Sequence, residues 1–229
     1  GLYKISLSGS VTLLTATSGS ISGGTYGESL LYNRVTGKLY CIFDTGLSGI
    51  IAEVIPAATT YSINILAPTL NAVKSNYPVS ATVDNTTGDI YYALMDHSAL
   101  SYYIEKYHPG TATPTLINSG SSMDIYGLRF NTNDNMLYAL RQSYSSGSSP
   151  VNFIKLTPTG TLTTVGTIPF NVNEEFYSAA FDPCNNEYII STETGTTWST
   201  AIFARINTSG TVVHNDTIPN IFEGMDINY

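Results

Sequence analysis

Apolar and polar residues alternate along this chain in short runs, and the runs themselves recur. Short segments rich in Tyr, Ile, Leu, Val and Phe are broken at regular intervals by clusters of Ser, Thr, Asn and Gly, the pattern of half-buried strands joined by turns. One arrangement occurs four times: an apolar run, an Asn or Asp, a short polar turn, then an aromatic strand. Its copies are Leu30-Leu31-Tyr32-Asn33 to Lys38-Leu39-Tyr40, Thr82-Val83-Asp84 to Asp89-Ile90-Tyr91, Arg129-Phe130-Asn131 to Met136-Leu137-Tyr138, and Ala180-Phe181-Asp182 to Glu187-Tyr188. A fifth, Met225-Asp226-Ile227-Asn228-Tyr229, stops where its turn would begin. Self-similarity at this spacing predicts an array or a propeller.

A second hairpin follows each first one. It is clearest in Phe153 to Leu162 and Phe203 to Val212, and the chain opens on the same pattern at Leu2 to Val11. The turn glycines Gly110, Gly160 and Gly210 stand 50 residues apart, with Gly9 about two steps before the first. Glycine is expected there because tight hairpins need a residue at positive φ. Four short strands per unit, A to D, make a blade. Residues 1–229 therefore read as a single all-β domain, a five-bladed β-propeller. Its closing blade takes C and D from the N-terminus and A from the C-terminus. A complete ring at this spacing would need about 22 more residues, one strand B with its loops. Three explanations stand open: a three-stranded closing blade, a trimmed chain, or a strand donated by another chain or segment.

A β-sandwich also shows many short, evenly spaced strands, but the inner register favours the propeller. Four residues before each Asn or Asp stand Ser29, Ser80, Gly127, Ser178 and Gly224, all small, as crowding near a central axis would demand. The residues one and three before it are apolar and point to the opposite face. Ala180-Phe181-Asp182-Pro183 with Tyr188, and Asn33 to Gly37-Lys38-Leu39-Tyr40, resemble the F-D-P-x-x-G-x-L-Y blade signature of many secreted bacterial propellers. That resemblance implies architecture, and the signature hosts both enzymes and binding modules.

Composition narrows the partners. Charged residues make up 11%, against roughly a quarter in an average soluble domain. Ser, Thr, Asn and Tyr take their place, a surface of extracellular style that predicts a secreted or cell-surface protein. Nine Lys+Arg against 17 Asp+Glu give −8, so nucleic acid is not an expected partner. No apolar stretch approaches the roughly 18 residues of a membrane span, and no signal peptide is seen, so membrane insertion is not expected. Cys41 and Cys184 fall three blades apart and read as free thiols.

Antiparallel topology puts the A–B and C–D turns on one face and the B–C and D–A connections on the other. The first set is terse. The second is longer and richer, with His97, Tyr144 and Trp198 on B–C connections and Tyr77 before a strand A. Around the starts of the A strands stand Tyr26, Glu28, Asp124, Tyr126, Tyr177, Phe222 and Glu223. An aromatic rim with carboxylates suits sugars or polar peptide segments, since rings stack on apolar faces and carboxylates accept from hydroxyls. The same aromatics could equally fill gaps between blades. Deeper in the channel, Arg129 and Asp226 could meet across the axis as an ion pair, or Asp226 could hold calcium with strand carbonyls. No other cofactor is expected. The three histidines do not converge, no nucleophile elbow or phosphate loop occurs, and Asp84 to Asp89 looks like a calcium loop but occupies an ordinary turn position. The expected function is non-catalytic recognition of a glycan or an extracellular protein on the long-loop face. The alternatives are a five-bladed glycoside hydrolase using rim carboxylates and a structural module of a larger surface protein.

Overall fold

A computed structural model describes residues 2–18, 26–44, 49–70, 80–96, 98–143, 150–170, 177–193 and 201–218, and every element among them is a strand. A hairpin comes first, β1 (Leu2–Ile5) and β2 (Val11–Ser18). Four repeats of four strands follow. They are β3 (Tyr26–Asn33), β4 (Lys38–Asp44), β5 (Gly49–Pro56) and β6 (Thr60–Pro68); then β7 (Ser80–Val83), β8 (Ile90–Asp96), β9 (Ser101–Tyr107) and β10 (Thr115–Ser121). The third repeat is β11 (Met123–Asn131), β12 (Met136–Ser143), β13 (Val151–Leu156) and β14 (Leu162–Ile168); the fourth is β15 (Tyr177–Asp182), β16 (Glu187–Glu193), β17 (Ala201–Asn207) and β18 (Val212–Ile218).

Each repeat is an up-and-down sheet, and its first strand faces the first strand of its neighbours: β7 lies beside β3 and β11, and β11 beside β15. The fold is therefore all-β and propeller-like, with the A strands innermost. Aromatic residues fill the spaces between sheets. Phe130 of the third sheet stacks on Tyr91 of the second at 5.8 Å, and Phe181 of the fourth lies 5.4 Å from Tyr138 of the third. These are the apolar residue before each Asn or Asp and the Tyr of the following strand, so the repeated motif encodes the blade interface. Tyr91, Tyr138 and Tyr188 are fully buried, and removing such a side chain from water contributes about 1.5–3 kcal/mol.

The repeated Asn or Asp builds the A–B turn. Asp84 Oδ1 accepts from Thr86 N at 2.8 Å and its Oδ2 from Thr87 Oγ1 at 2.7 Å, while Asp182 Oδ1 accepts from Cys184 N at 2.9 Å. Self-bonding turn chemistry thus accounts for the calcium-like loop. Asn at the same place does more. Asn33 Nδ2 donates to Gly88 O of the next sheet at 2.8 Å, and Asn131 Nδ2 to Asn186 Oδ1 at 2.9 Å. Asn133 Nδ2 adds a bond to Pro183 O. The turn face is stitched across sheet boundaries.

The closing blade differs from expectation in the described residues. β1 and β2 do not stand as half of a separate sheet: β2 pairs in parallel with β6, so the hairpin extends the first sheet to six strands in the order β1-β2-β6-β5-β4-β3. An outer strand such as β6 presents unpaired backbone groups, and a hairpin without inner strands of its own satisfies one edge there. Gly1, Gly224 and the C-terminal strand expected over 225–229 lie outside the described residues. Cys41 is buried and Cys184 exposed, both as free thiols.

Candidate functional site

β11 carries the described part of the site. It runs from the long-loop face to the turn face and presents Asp124, Tyr126 and Arg129 in that order. Asp124 pairs with Gln142 and Tyr126 with Leu140 before the ladder shifts register and resumes at Arg129, opposite Tyr138. Gly127 makes this irregularity, at φ 63°.

Asp124 and Tyr126 lie on one side of the strand, and the Tyr126 hydroxyl donates to Asp124 Oδ2 at 3.1 Å. Both are buried, so the two meet as a hydrogen-bonded pair and not as an exposed ring beside a free carboxylate. Below them the Arg129 guanidinium spans three inner strands. Nε donates to Ala179 O of β15 at 2.6 Å, and Nη1 to Ala81 O of β7 at 3.0 Å and to Leu128 O of β11 at 2.7 Å. A planar fork of donors suits this bridging, which a point-like ammonium could not reproduce. The partners found for Arg129 are thus backbone carbonyls. Asp226, offered by the sequence as its counter-ion or as a calcium ligand, lies outside the described residues.

The small inner residues owe their size to neighbouring strands. Ser80 Oγ and Thr82 Oγ1 of β7 accept from Leu128 N and Phe130 N of β11. A side chain at Gly127 would collide with Tyr188 Oη and come within 2.8 Å of Ala179 Cβ. Tyr188 itself donates to Gly127 O at 2.7 Å.

Tyr26 and Glu28 belong to β3 and Tyr177 begins β15, which sets all three on innermost strands at the end away from the A–B turns. Their backbone is described and their side chains are not. Tyr77, His97, Tyr144, Trp198, Phe222 and Glu223 lie outside the described residues. Among the described residues, no three His, Cys, Asp or Glu side chains group as metal ligands.

Two further acids stand outside the site residues that the sequence suggests. Glu105 on β9 is fully buried, and its Oε2 accepts from Tyr92 Oη at 2.7 Å and from Leu70 N at 3.1 Å, tying the end of the first repeat to the second sheet. Asp96 Oδ1 accepts from Ser98 N, Ser98 Oγ and Ala99 N, ordering a B–C connection on the long-loop face. Asp followed two residues later by Ser was the available signal for the second; a lone Glu in an alternating strand gave none for the first. Glu105 acts on its neighbour, since burial first and then this carboxylate push the Tyr92 phenol far above its ordinary range.

Solved structures share this fold at low identity. The nidogen/laminin complex aligns with a TM-score of 0.58 and 8% identity over 87% of this chain and 67% of that one. The SapL1 lectin in complex with alpha methyl fucoside aligns with a TM-score of 0.60 and 11% identity, over 85% of this chain and 62% of that one. The alpha-L-arabinofuranosidase CtGH43 from Clostridium thermocellum aligns with a TM-score of 0.56 and 12% identity, over 92% and 77%. The chain thus spans about two thirds of the length of the first two. No curated protein matches its sequence. A family model does, over residues 105–229, which takes in the whole of the third and fourth sheets with Asp124, Tyr126 and Arg129; by that match the chain belongs to the family described as "Repeat of unknown function (DUF6923)".

Proposed function

We propose that the protein is a secreted or cell-surface binding module, without catalysis, that takes a glycan or an extracellular protein segment on its long-loop face. In this reading the ring has five blades, and the N-terminal hairpin, while also paired with β6 of the first sheet, contributes with residues 225–229 to the fifth. The observation that carries the proposal is the contrast between the two faces. The turn face is tied down by its own Asn and Asp side chains and by bonds between sheets. The opposite face receives the longer connections, above an Asp124–Tyr126 pair and a guanidinium that fastens three inner strands. A scaffold held rigid from one side offers the other for recognition. A lectin complex and a laminin complex among the similar structures support the ligand class, and the surface low in charge supports the location.

A glycan array and a panel of extracellular matrix proteins test this directly. Binding to a defined glycan or protein that weakens on Trp198→Ala and Tyr126→Ala supports the site, whereas unchanged affinity in both variants removes it from the long-loop face. The likeness to an arabinofuranosidase favours one second reading, a glycoside-active enzyme with Asp124 among its acids. Release of sugar from polysaccharide that is lost in Asp124→Asn would establish that reading and overturn the first.

A further inference from the structure

The β1–β2 hairpin is built as the outer half of a blade. Ser6 N donates to Ser10 O and Gly9 N to Ser6 O, the pair of bonds made by Thr157, Gly160 and Thr161 in the third sheet and by Asn207, Gly210 and Thr211 in the fourth. The side-chain bond matches as well: Ser6 Oγ accepts from Ser10 N at 2.9 Å, Thr157 Oγ1 from Thr161 N at 3.0 Å, and Asn207 Oδ1 from Thr211 N at 2.9 Å. Aligned on these turns, Ile5 corresponds to Leu156 and Ile206, Lys4 to Lys155 and Arg205, and Tyr3 to Ile154 and Ala204. The strand registers agree, with Ile5 opposite Val11 as Leu156 is opposite Leu162.

Burial does not agree. Ile154, Leu156, Ala204 and Ile206 are fully buried, whereas Tyr3 is 58% and Ile5 70% exposed, with their cross-strand partners Leu13 and Val11 also exposed. Part of the difference lies in the core that β13 and β17 share with neighbouring sheets, and part in their strand neighbours. β13 and β17 each lie between two strands, pairing with β12 and β16 on their inner side, while β1 pairs with β2 alone among the described residues. Among the described residues its other edge is unpaired and flanks an apolar face, the combination that recruits a further strand.

We propose that the free edge of β1 accepts one additional antiparallel strand of the second-strand pattern, supplied from outside the described residues by a polypeptide repeating the Met136–Ser143 motif. The inference concerns the opposite strand edge of the hairpin from the one on β6 and does not depend on what the long-loop face binds. The third sheet supplies the register. Leu156 faces Leu137, Lys155 faces Tyr138, Ile154 faces Ala139 and Phe153 faces Leu140. The incoming strand therefore sets an apolar residue opposite Ile5, an aromatic or branched one opposite Lys4, and a small apolar one opposite Tyr3, which is larger than the Ile154 it replaces.

The test uses the 229-residue protein and a synthetic peptide carrying Met136–Ser143 with a lysine tail for solubility. Expected is concentration-dependent protection from hydrogen exchange of those Leu2–Ile5 amides that do not bond to β2, together with a rise in Tm. A scrambled peptide gives neither. Tyr3→Asp combined with Ile5→Asp abolishes the protection while leaving the Tm of the peptide-free protein unchanged, because both side chains are exposed. No protection at saturating peptide overturns the proposal. So does protection of β1 without peptide that tracks a dimer in sedimentation, which would assign the edge to a second copy of this chain.

Discussion

Tyr188 of the fourth sheet donates its hydroxyl to the carbonyl of Gly127 in the third, at 2.7 Å, across a gap where Gly127 has no room for a side chain. Gly127 also stands at φ 63°, a region that costs a residue with Cβ about 1–3 kcal/mol.

Gly127→Ala therefore adds a steric collision to backbone strain and is expected to destabilise the fold by about 2–6 kcal/mol, combining that strain with overpacking of about 1–3 kcal/mol. At about 2–4 °C per kcal/mol for a chain of this size, the loss is plain in a thermal melt. Tyr188→Phe removes the colliding oxygen. The double variant should then lose less than the two single losses added together, and strict additivity would show that the contact does not carry the effect.

The same pair shows where the sequence could be read and where it could not. Tyr188 reads as the motif aromatic alongside Tyr40, Tyr91 and Tyr138, all in the strand that follows the turn, although it follows its Asp by six residues where they follow their Asn or Asp by seven. Yet Asp182 pairs with Glu187 as Asn131 pairs with Met136, which sets Tyr188 in the place of Leu137, one residue earlier. A strand residue moved by one changes face. So Tyr138 Oη reaches Asp134 of its own turn, and Tyr188 Oη reaches the neighbouring sheet. Period-two alternation and the recurring turns were enough for strands, sheet count in the body of the chain, and the inner position of Ser80 and Gly127. They could not reveal partners that are backbone atoms, which is why Arg129 suggested a distant carboxylate while its guanidinium holds Ala81, Leu128 and Ala179 carbonyls. Nor does a local pattern say which edge a hairpin joins, as the pairing of β2 with β6 illustrates.

Replacing Arg129 by Met keeps the bulk of the side chain and removes the donors. Three carbonyls of the inner strands then lack them, and the expected cost is about 1–3 kcal/mol. Arg129→Lys should recover less than half of it, because one ammonium cannot copy the planar fork. Urea unfolding with an unchanged m-value measures the loss as stability. Full recovery by Lys would mean that charge alone, without the bridging geometry, is what the three strands require.

Asn and Asp at the repeat position should not be interchangeable. Asn33→Asp deletes the donor to Gly88 O and turns a carboxylate toward that carbonyl, for an expected loss of about 1–3 kcal/mol. Asp84→Asn keeps an oxygen for Thr86 N and only reverses the sense of the bond with Thr87 Oγ1, so its effect should be smaller than that of Asn33→Asp. Paired thermal melts separate the two. Equal losses would show that the inter-sheet bond of Asn33 contributes nothing beyond the turn.

High pH should open the fold through its tyrosines. Burial, the leading cause in each case, pushes the phenols of Tyr91, Tyr92 and Tyr138 well above their ordinary value of 10.0. Carboxylates add to this: Asp89 and Asp84 near Tyr91, Glu105 at Tyr92, and Asp134 at Tyr138. Above pH 10 the unfolded chain gives up these protons while the folded one keeps them. The unfolded state then binds fewer protons, and stability falls as pH rises from there. Below pH 10 the contribution is complete. Phenolate absorbance followed together with β-sheet circular dichroism should therefore show the buried tyrosines ionising in one cooperative step with loss of the fold. Since burial outranks the carboxylate for Tyr92, Glu105→Gln should leave that coupling in place. Smooth, reversible ionisation of every tyrosine with the circular dichroism intact would mean that the spaces between the sheets admit water, and the tight inter-sheet packing described for Tyr91 and Tyr138 would not hold in solution.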